Sequence, residues 1–416
     1  MKEIARKRYL DGLVEREFDG LVKVVTGIRR CGKSYLLFTL FRNHLLKNGI
    51  PEDHILAIDL EDFANIKLRD RDALYDHIKG SMSGKTGRFY ILIDEIQHVD
   101  GFVDLVNGLM HLPETDVYVT GSNSKFLSTD IVTEFRGRSE EIRVYPLSFS
   151  EFLSAYEGSE QQAWDEYMRY GGMPESIDFT DLHKEEYLLG LVRSVYLLDI
   201  TERNDVRNPD SLDSLMSALC SSTGSLTNIS KIANTMFTVS GRKVDHKTVA
   251  RYMDLFQDSF LFERSQRYDV KGRKYFDSIS KYYIVDVGLR NAWLGYRQQE
   301  PTHLMENIIY NELRSRGYSV DVGVVLARTT KEGDPEYAQL EIDFIVNKGN
   351  ERIYIQSAYS IPDVEKHDQE IRPFLKVGDS FRKIVVVSGD EKPWVDDDGI
   401  MTVGVRRFLL DETLIG

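Results

Sequence analysis

The stretch Gly27-Ile28-Arg29-Arg30-Cys31-Gly32-Lys33-Ser34 constrains this chain more than any other. It follows the apolar run Leu21-Val22-Lys23-Val24-Val25 and precedes Tyr35-Leu36-Leu37-Phe38-Thr39-Leu40-Phe41, which reads as a helix. Gly-x-x-x-x-Gly-Lys-Ser between a strand and a helix is the spacing of a phosphate-binding loop. Its glycines let the backbone curl so that several N–H groups converge on a phosphate at a helix N-terminus. The expected nucleotide-binding residues are Gly27, Ile28, Arg29, Arg30, Cys31, Gly32, Lys33, Ser34 and Tyr35. In this role Lys33 reaches the β- and γ-phosphates of ATP and the Ser34 hydroxyl ligates Mg²⁺.

A second signal follows the Gly-rich turn Ser83-Gly84-Lys85-Thr86-Gly87. Phe89-Tyr90-Ile91-Leu92-Ile93-Asp94-Glu95 is an apolar strand ending in two acids. A parallel strand covered on both faces is apolar throughout, and its C-terminal end faces the ligand crevice. Asp94 is expected opposite Ser34 as the second Mg²⁺ residue, and Glu95 as the base or positioner of the attacking water. Two acids rather than one favour hydrolysis over simple holding of nucleotide. The run Ile55-Leu56-Ala57-Ile58-Asp59-Leu60 reads as a further buried strand, and Val117-Tyr118-Val119-Thr120 as another. At the tip of the latter, Ser122 and Asn123 are either sensors of the γ-phosphate or a polar turn capping a helix. Arg136 and Arg138, flanking Gly137, are either an arginine finger acting in cis or from a neighbouring subunit, or a solvated basic loop.

Taken together, the phosphate loop, the Asp-Glu strand, Thr120-Gly121-Ser122-Asn123, Gly137-Arg138-Ser139 and Pro146-Leu147-Ser148-Phe149-Ser150-Glu151-Phe152 resemble a known family. It comprises uncharacterised bacterial and archaeal AAA+-type P-loop ATPases with a C-terminal domain of unknown function. Tyr170-Gly171-Gly172-Met173-Pro174-Glu175 matches the Gly-Gly-x-Pro element that such proteins carry after the ATPase core. The resemblance implies an α/β fold, a five-stranded parallel sheet with helices on both faces and one strand between the two Walker strands. It brings no defined client.

With 416 residues the chain has room for several domains, each with its own core. The expected division is an ATPase core over 1–150, a helical lid over 151–205, a winged helix-turn-helix over 206–298 and a nuclease-like domain over 299–416. Composition is globular, 42% hydrophobic and 29% charged, with no apolar run long enough for a bilayer, so no membrane partner is expected. The N-terminus lacks the apolar core of a signal peptide. Two cysteines, Cys31 and Cys220, make no disulfide framework, and a reducing cytoplasm is the expected setting. The net charge of −14 argues against indiscriminate nucleic-acid binding but leaves room for a local basic patch.

The lid stretch reads as helices, in which Arg193 and Arg203 are surface residues or phosphate contacts. Further on, Leu212–Ser221, a helix opened by Thr227-Asn228 and a third helix carrying Val249, Tyr252 and Phe256 on one face precede two alternating stretches joined at Lys271-Gly272-Arg273. Helix, helix-turn-helix and hairpin make a winged helix. Its third helix would present Lys247, Thr248 and Arg251 to double-stranded DNA, with Lys271, Arg273 and Lys274 on phosphates. The alternative is a winged helix used only for intramolecular or protein contacts, with a homo-oligomer or a protein partner among the expectations.

The last 120 or so residues read helix, strands, helix, strand. Glu306 on a helix, Asp343 on a strand and Gln356 on the next resemble the metal site of restriction-endonuclease-like nucleases. That site needs converging carboxylates and a lysine two residues after the last acid. Here the last acid is Gln356 and the lysine position is Ala358, with Lys366 as the one candidate for a displaced lysine. A degenerate nuclease fold is the expectation. The whole reads as a Mg²⁺-dependent ATPase that couples nucleotide state to DNA. A protein-directed switch or remodelling module is the alternative, and an ATP-gated nuclease the third reading.

Overall fold

The computed structural model describes residues 3–121, 135, 137–204, 206, 208–241, 243–298, 300–331, 334–361 and 364–415. They form two compact units, one of residues 1–146 with 258–260, the other of 147–257 with 261–416.

The first unit is built on five parallel strands: β1 (Val22–Thr26), β2 (Ile55–Asp59), β3 (Phe89–Asp94), β4 (Thr115–Gly121) and β5 (Ser139–Arg143). They lie in the order β2-β3-β4-β1-β5, so β4 separates the phosphate-loop strand from the Asp-Glu strand. This is the arrangement the family resemblance implies. Every residue of β1 and β3 is buried, as expected of strands covered on both faces. Val24, Ile91, Ile93 and Val119 pack with Leu74, Leu105 and Leu109 in one core. Lys23 is a charged residue inside β1, and its Nζ lies 2.7 Å from both Asp19 and Asp116. A buried ammonium is tolerated because it is paired.

The second unit begins with helices Phe149–Ala155, Glu160–Tyr170 and Asp181–Gly190. Pro209–Ser221, Ile229–Ser240 and His246–Asp258 follow as the expected three helices. The next two strands are β6 (Phe262–Asp269) and β7 (Lys274–Ile284). They pair as a hairpin, and Thr227 bridges to Ser280 ahead of the second of the three helices.

This hairpin is not a free-standing wing. Strand β6 also pairs in parallel with β8 (Ser319–Lys331), through Arg267–Val322, Tyr268–Gly323 and Asp269–Val324. With β9 (Asp334–Lys348), β10 (Glu351–Ala358), β11 (Arg382–Val387), β12 (Trp394–Val395) and β13 (Met401–Gly404), it completes one eight-stranded sheet, ordered β12-β13-β11-β10-β9-β8-β6-β7. A boundary near residue 298 would therefore cut across a continuous sheet. Pairing between strands separated by about 50 residues leaves no local signature in sequence. Helix Val364–Val377 lays Ile371 and Phe374 on Val325, Ile342, Tyr354 and Val385 of this sheet.

The Gly171-Gly172 element has a definite job within this unit. Asp286 caps helix Val287–Trp293, and its Oδ2 accepts the Gly172 N–H at 2.7 Å. A Cβ on Gly171 would fall 2.2 Å from Asp286 Oδ1, so only glycine fits. Burial pushes the Asp286 carboxyl up to about 6, against backbone hydrogen bonds that pull it down. The folded chain therefore takes up this proton before the unfolded chain does, and the stability it adds is lost as pH rises through about 6. The thermal midpoint of the wild type, measured against that of Asp286→Asn, is expected to improve as pH falls from about 7.5 to 5. A difference that is flat across this range would contradict the assignment.

Candidate functional site

The phosphate loop leaves the C-terminal end of β1. Gly27 has φ +140°, and a Cβ there would lie 2.2 Å from the Val144 carbonyl oxygen, so the turn requires glycine. Gly32 is left-handed (φ 101°) and opens the helical run that starts at Lys33–Tyr35 and continues through a π-helical turn, Leu36–Phe41. Arg30 is left-handed too (φ 69°) and exposed. Ile28 is buried, and Cys31 directs its thiol at the Val144 carbonyl at 3.4 Å from within the core. Cys31 thus anchors the loop to the strand beside it rather than facing a ligand. Arg29 pairs with Glu61 at 2.6 Å. Tyr35 is 37% exposed.

Lys33 is 4% exposed, and its Nζ donates to the carbonyls of Gly27 and Ile28 at 3.0 and 3.2 Å. The ammonium is thereby held over the loop it would serve. Asp94 accepts hydrogen bonds from the Ser34 hydroxyl and from Thr120 Oγ1. Burial raises the Asp94 pKa, against the pull of these hydrogen bonds and of Lys33. Ser34 and Asp94, expected to meet, do meet. A hydroxyl and a carboxylate side by side are the hard oxygen donors that Mg²⁺ takes, and the residues present fit that ion.

Glu95 is 6% exposed and left-handed (φ 52°), a strained backbone for a non-glycine residue of the kind that clusters at working sites. Its N–H donates to Thr120 Oγ1 at 2.9 Å and its carboxylate accepts from Gln97 Nε2. Thr120 therefore touches both acids. Ser122 and Asn123, expected as γ-phosphate sensors or as a polar capping turn, lie outside the described residues, whereas Thr120, at the end of the expected strand, is the polar side chain found at the two acids. The signal was available: Thr120 is the one polar residue in the buried run Val117–Thr120, register-paired to Val25 immediately before the loop.

Arg136 also lies outside the described residues. Arg138 is exposed, and its carbonyl accepts from the N–H of Val22, the first residue of β1. The phosphate loop leaves the other end of that strand. Five strand residues span roughly 16 Å, so Arg138 does not serve the phosphates of its own loop, and action in cis is withdrawn for it. Arg6, which carries no local signal in the sequence, donates to the carbonyls of Cys31 at 3.1 Å and Tyr145 at 2.6 Å, bracing the loop from the N-terminal arm.

In the second unit Lys247 is exposed and Thr248 half-buried. Arg251 donates to the Asn204 carbonyl at 2.6 Å. Thr248 and Arg251 line a cavity of ≈ 800 Å³ together with Glu202. The helix face expected to meet DNA is thus partly occupied by the protein's own chain. Lys271, Arg273 and Lys274 are all exposed at the hairpin tip.

Glu306, Asp343 and Gln356 do come together. Asp343 N–H donates to Gln356 Oε1 at 3.3 Å, and the Ser357 N–H to Asp343 Oδ2 at 3.0 Å. The cation beside them is not Lys366, the candidate for a displaced lysine, but Lys281. Lys281 of β7 places its Nζ 2.8 Å from Glu306 Oε1 and 3.1 Å from Asp343 Oδ1. Lys366 pairs instead with Glu370, one turn along its own helix. Lys281 lies 25 residues before Glu306 and 62 before Asp343, and only the tertiary fold reveals the pairing.

The five-stranded order, the glycine loop and the Lys33–Ser34–Asp94 cluster define the first unit as a P-loop nucleotide domain of the AAA type. An AAA domain model matches residues 19–153, and a domain of unknown function (DUF8612) matches residues 161–300. An uncharacterised protein of Haemophilus influenzae is 35% identical over 412 residues, covering 98% of both chains. The protein MJ1544 of Methanocaldococcus jannaschii, also uncharacterised, is 29% identical over 403 residues, 90% of this chain and 85% of its own. The Walker-type ATPase PABY2304 of Pyrococcus abyssi shares the fold at a TM-score of 0.50 and 16% identity, over 70% of this chain and 96% of that one. The chain belongs to the family of AAA-type P-loop ATPases that the Haemophilus protein represents. Among the described residues no helix is long and apolar enough to cross a membrane.

Proposed function

We propose that this protein binds ATP with Mg²⁺ and hydrolyses it. One observation carries the reading: Thr120 ties Asp94 and Glu95 together beside Ser34. The loop N–H groups and Lys33 would hold the β- and γ-phosphates. Ser34 and Asp94 would hold Mg²⁺, which neutralises phosphate charge when bound. Glu95, its backbone fixed by Thr120 and its carboxylate by Gln97, would orient the attacking water. Arg138 would be offered to a neighbouring subunit, and Arg136 would act either in cis or from a neighbouring subunit. Phosphate release measured with and without Mg²⁺ tests the activity.

A second reading concerns what the turnover acts on. The exposed triplet Lys271, Arg273 and Lys274 favours a polyanion, and double-stranded DNA is the one proposed. Lys247 lies on the neighbouring helix as a further phosphate contact. Duplex binding should weaken steeply with salt, and Lys271→Glu/Arg273→Glu should reduce both affinity and the log–log salt slope, the latter by about 2. Wild-type protein that ignores duplex DNA at moderate salt while retaining a protein partner would favour a protein-directed switch.

A further inference from the structure

Glu306, Glu341 and Asp343 gather at one point of the second unit. Converging carboxylates are the donors that divalent cations take in metal-dependent nucleases. Here the point is taken by the Lys281 ammonium, with Nζ–O separations of 2.8 Å to Glu306, 2.8 Å to Glu341 and 3.1 Å to Asp343. Lys281 is 2% exposed. Two further hydrogen bonds reach these acids. Tyr283 Oη donates to Glu306 Oε1 at 2.7 Å, and Asp343 Oδ2 accepts the Ser357 N–H at 3.0 Å. Above Glu306 the left-handed Gly224 leaves only 3.3 Å between the position of a Cβ and Glu306 Oε1.

We propose that the Lys281 ammonium replaces a divalent cation, so that this carboxylate centre is a metal-free structural node and a metal site only in latent form. The chemistry is that of charge substitution. Mg²⁺ or Mn²⁺ demands several oxygen donors in a near-octahedral set. At this centre Glu306 Oε1 and Asp343 Oδ1 already accept bonds from a buried ammonium. Burial would lower the pKa of Lys281, but the surrounding acids outweigh it and hold the group charged. Gln356, neutral and bonded to the Asp343 backbone, adds no charge that would draw a metal in. The lysine here touches all three acids, whereas a nuclease lysine positions a nucleophile beside the metal. Nuclease chemistry at this centre is therefore not expected, independently of what the ATPase unit does.

The test is a Mn²⁺ titration of the full chain, read by electron paramagnetic resonance without nucleotide, in an Asp94→Asn background that removes the Walker centre as a second site. With Lys281 present, no Mn²⁺ binding that depends on Glu341 or Asp343 is expected. Lys281→Met, close to lysine in length but uncharged, should gain one Mn²⁺ site per chain that its parent lacks, since the substitution removes the positive charge standing among the three acids. Adding Glu341→Gln should weaken that new site. Mn²⁺ bound by the Lys281 protein and lost on Glu341→Gln would overturn the proposal. So would a Lys281→Met protein with a cooperative thermal transition that binds no more Mn²⁺ than its parent. If Lys281→Met does not fold, the comparison of Lys281 protein with and without Glu341→Gln, a one-third exposed residue, still decides the first point.

Discussion

Glu95→Gln is expected to bind ATP as tightly as the wild type and to hydrolyse it at least about a hundredfold more slowly, the lower end of what a positioned base contributes. The substitution keeps size and hydrogen-bonding capacity, so the Glu95 N–H to Thr120 bond and the acceptor for Gln97 survive. Only the carboxylate charge is lost. The left-handed backbone at this position, φ 52°, is unaffected by the change because Gln and Glu share it at equal cost. A calorimetric titration with ATP beside a single-turnover assay separates binding from chemistry. Wild-type-like turnover would remove Glu95 from its role.

Lys33→Ala acts earlier, at binding. The ammonium is buried and held by two loop carbonyls, so its removal loses the cation without a surface residue to replace it. Charge-assisted hydrogen bonds contribute about 1.5–3 kcal/mol each. Two such bonds to the β- and γ-phosphates amount to an expected loss of about two to four orders of magnitude in ATP affinity. The fold should persist, because alanine suits the helix that starts at position 33. A variant that melts like the wild type but shows no thermal shift with Mg²⁺-ATP would match. An unchanged ATP affinity would mean that the loop is not the nucleotide site.

The nucleotide domain was legible in the sequence because its signals are local. The loop spacing, the apolar run into Asp94-Glu95 and the strand at 117–120 each declare themselves within ten residues. What was missed needed the third dimension. Thr120 became a site residue only when its hydroxyl was found between the Asp94 carboxylate and the Glu95 N–H. Arg138 lost its role in cis once the parallel register set it level with Val22, at the far end of β1 from the loop. In the second unit the elements were found but their partnership was not. The hairpin at 262–284 read as a wing by its alternation, whereas β6 pairs with a strand some fifty residues on. The same long-range folding hid Lys281, one cation among apolar and aromatic neighbours in Lys281-Tyr282-Tyr283-Ile284-Val285, whose three partners lie on other elements.

These placements change how the Asp-Glu strand is understood. Asp94 and Glu95 are not two independent acids at a strand end. One threonine hydroxyl donates to the Asp94 carboxylate and accepts the Glu95 N–H, so the two residues are fixed through the same side chain. Storage of nucleotide would need only the first of them.

The most direct test of this account is phosphate release by the wild-type protein in ATP with Mg²⁺, repeated with the metal chelated. The account predicts sustained release that stops when Mg²⁺ is removed. Tight binding of Mg²⁺-ATP with no release beyond that of the Glu95→Gln protein would contradict it, leaving a domain that holds nucleotide without consuming it.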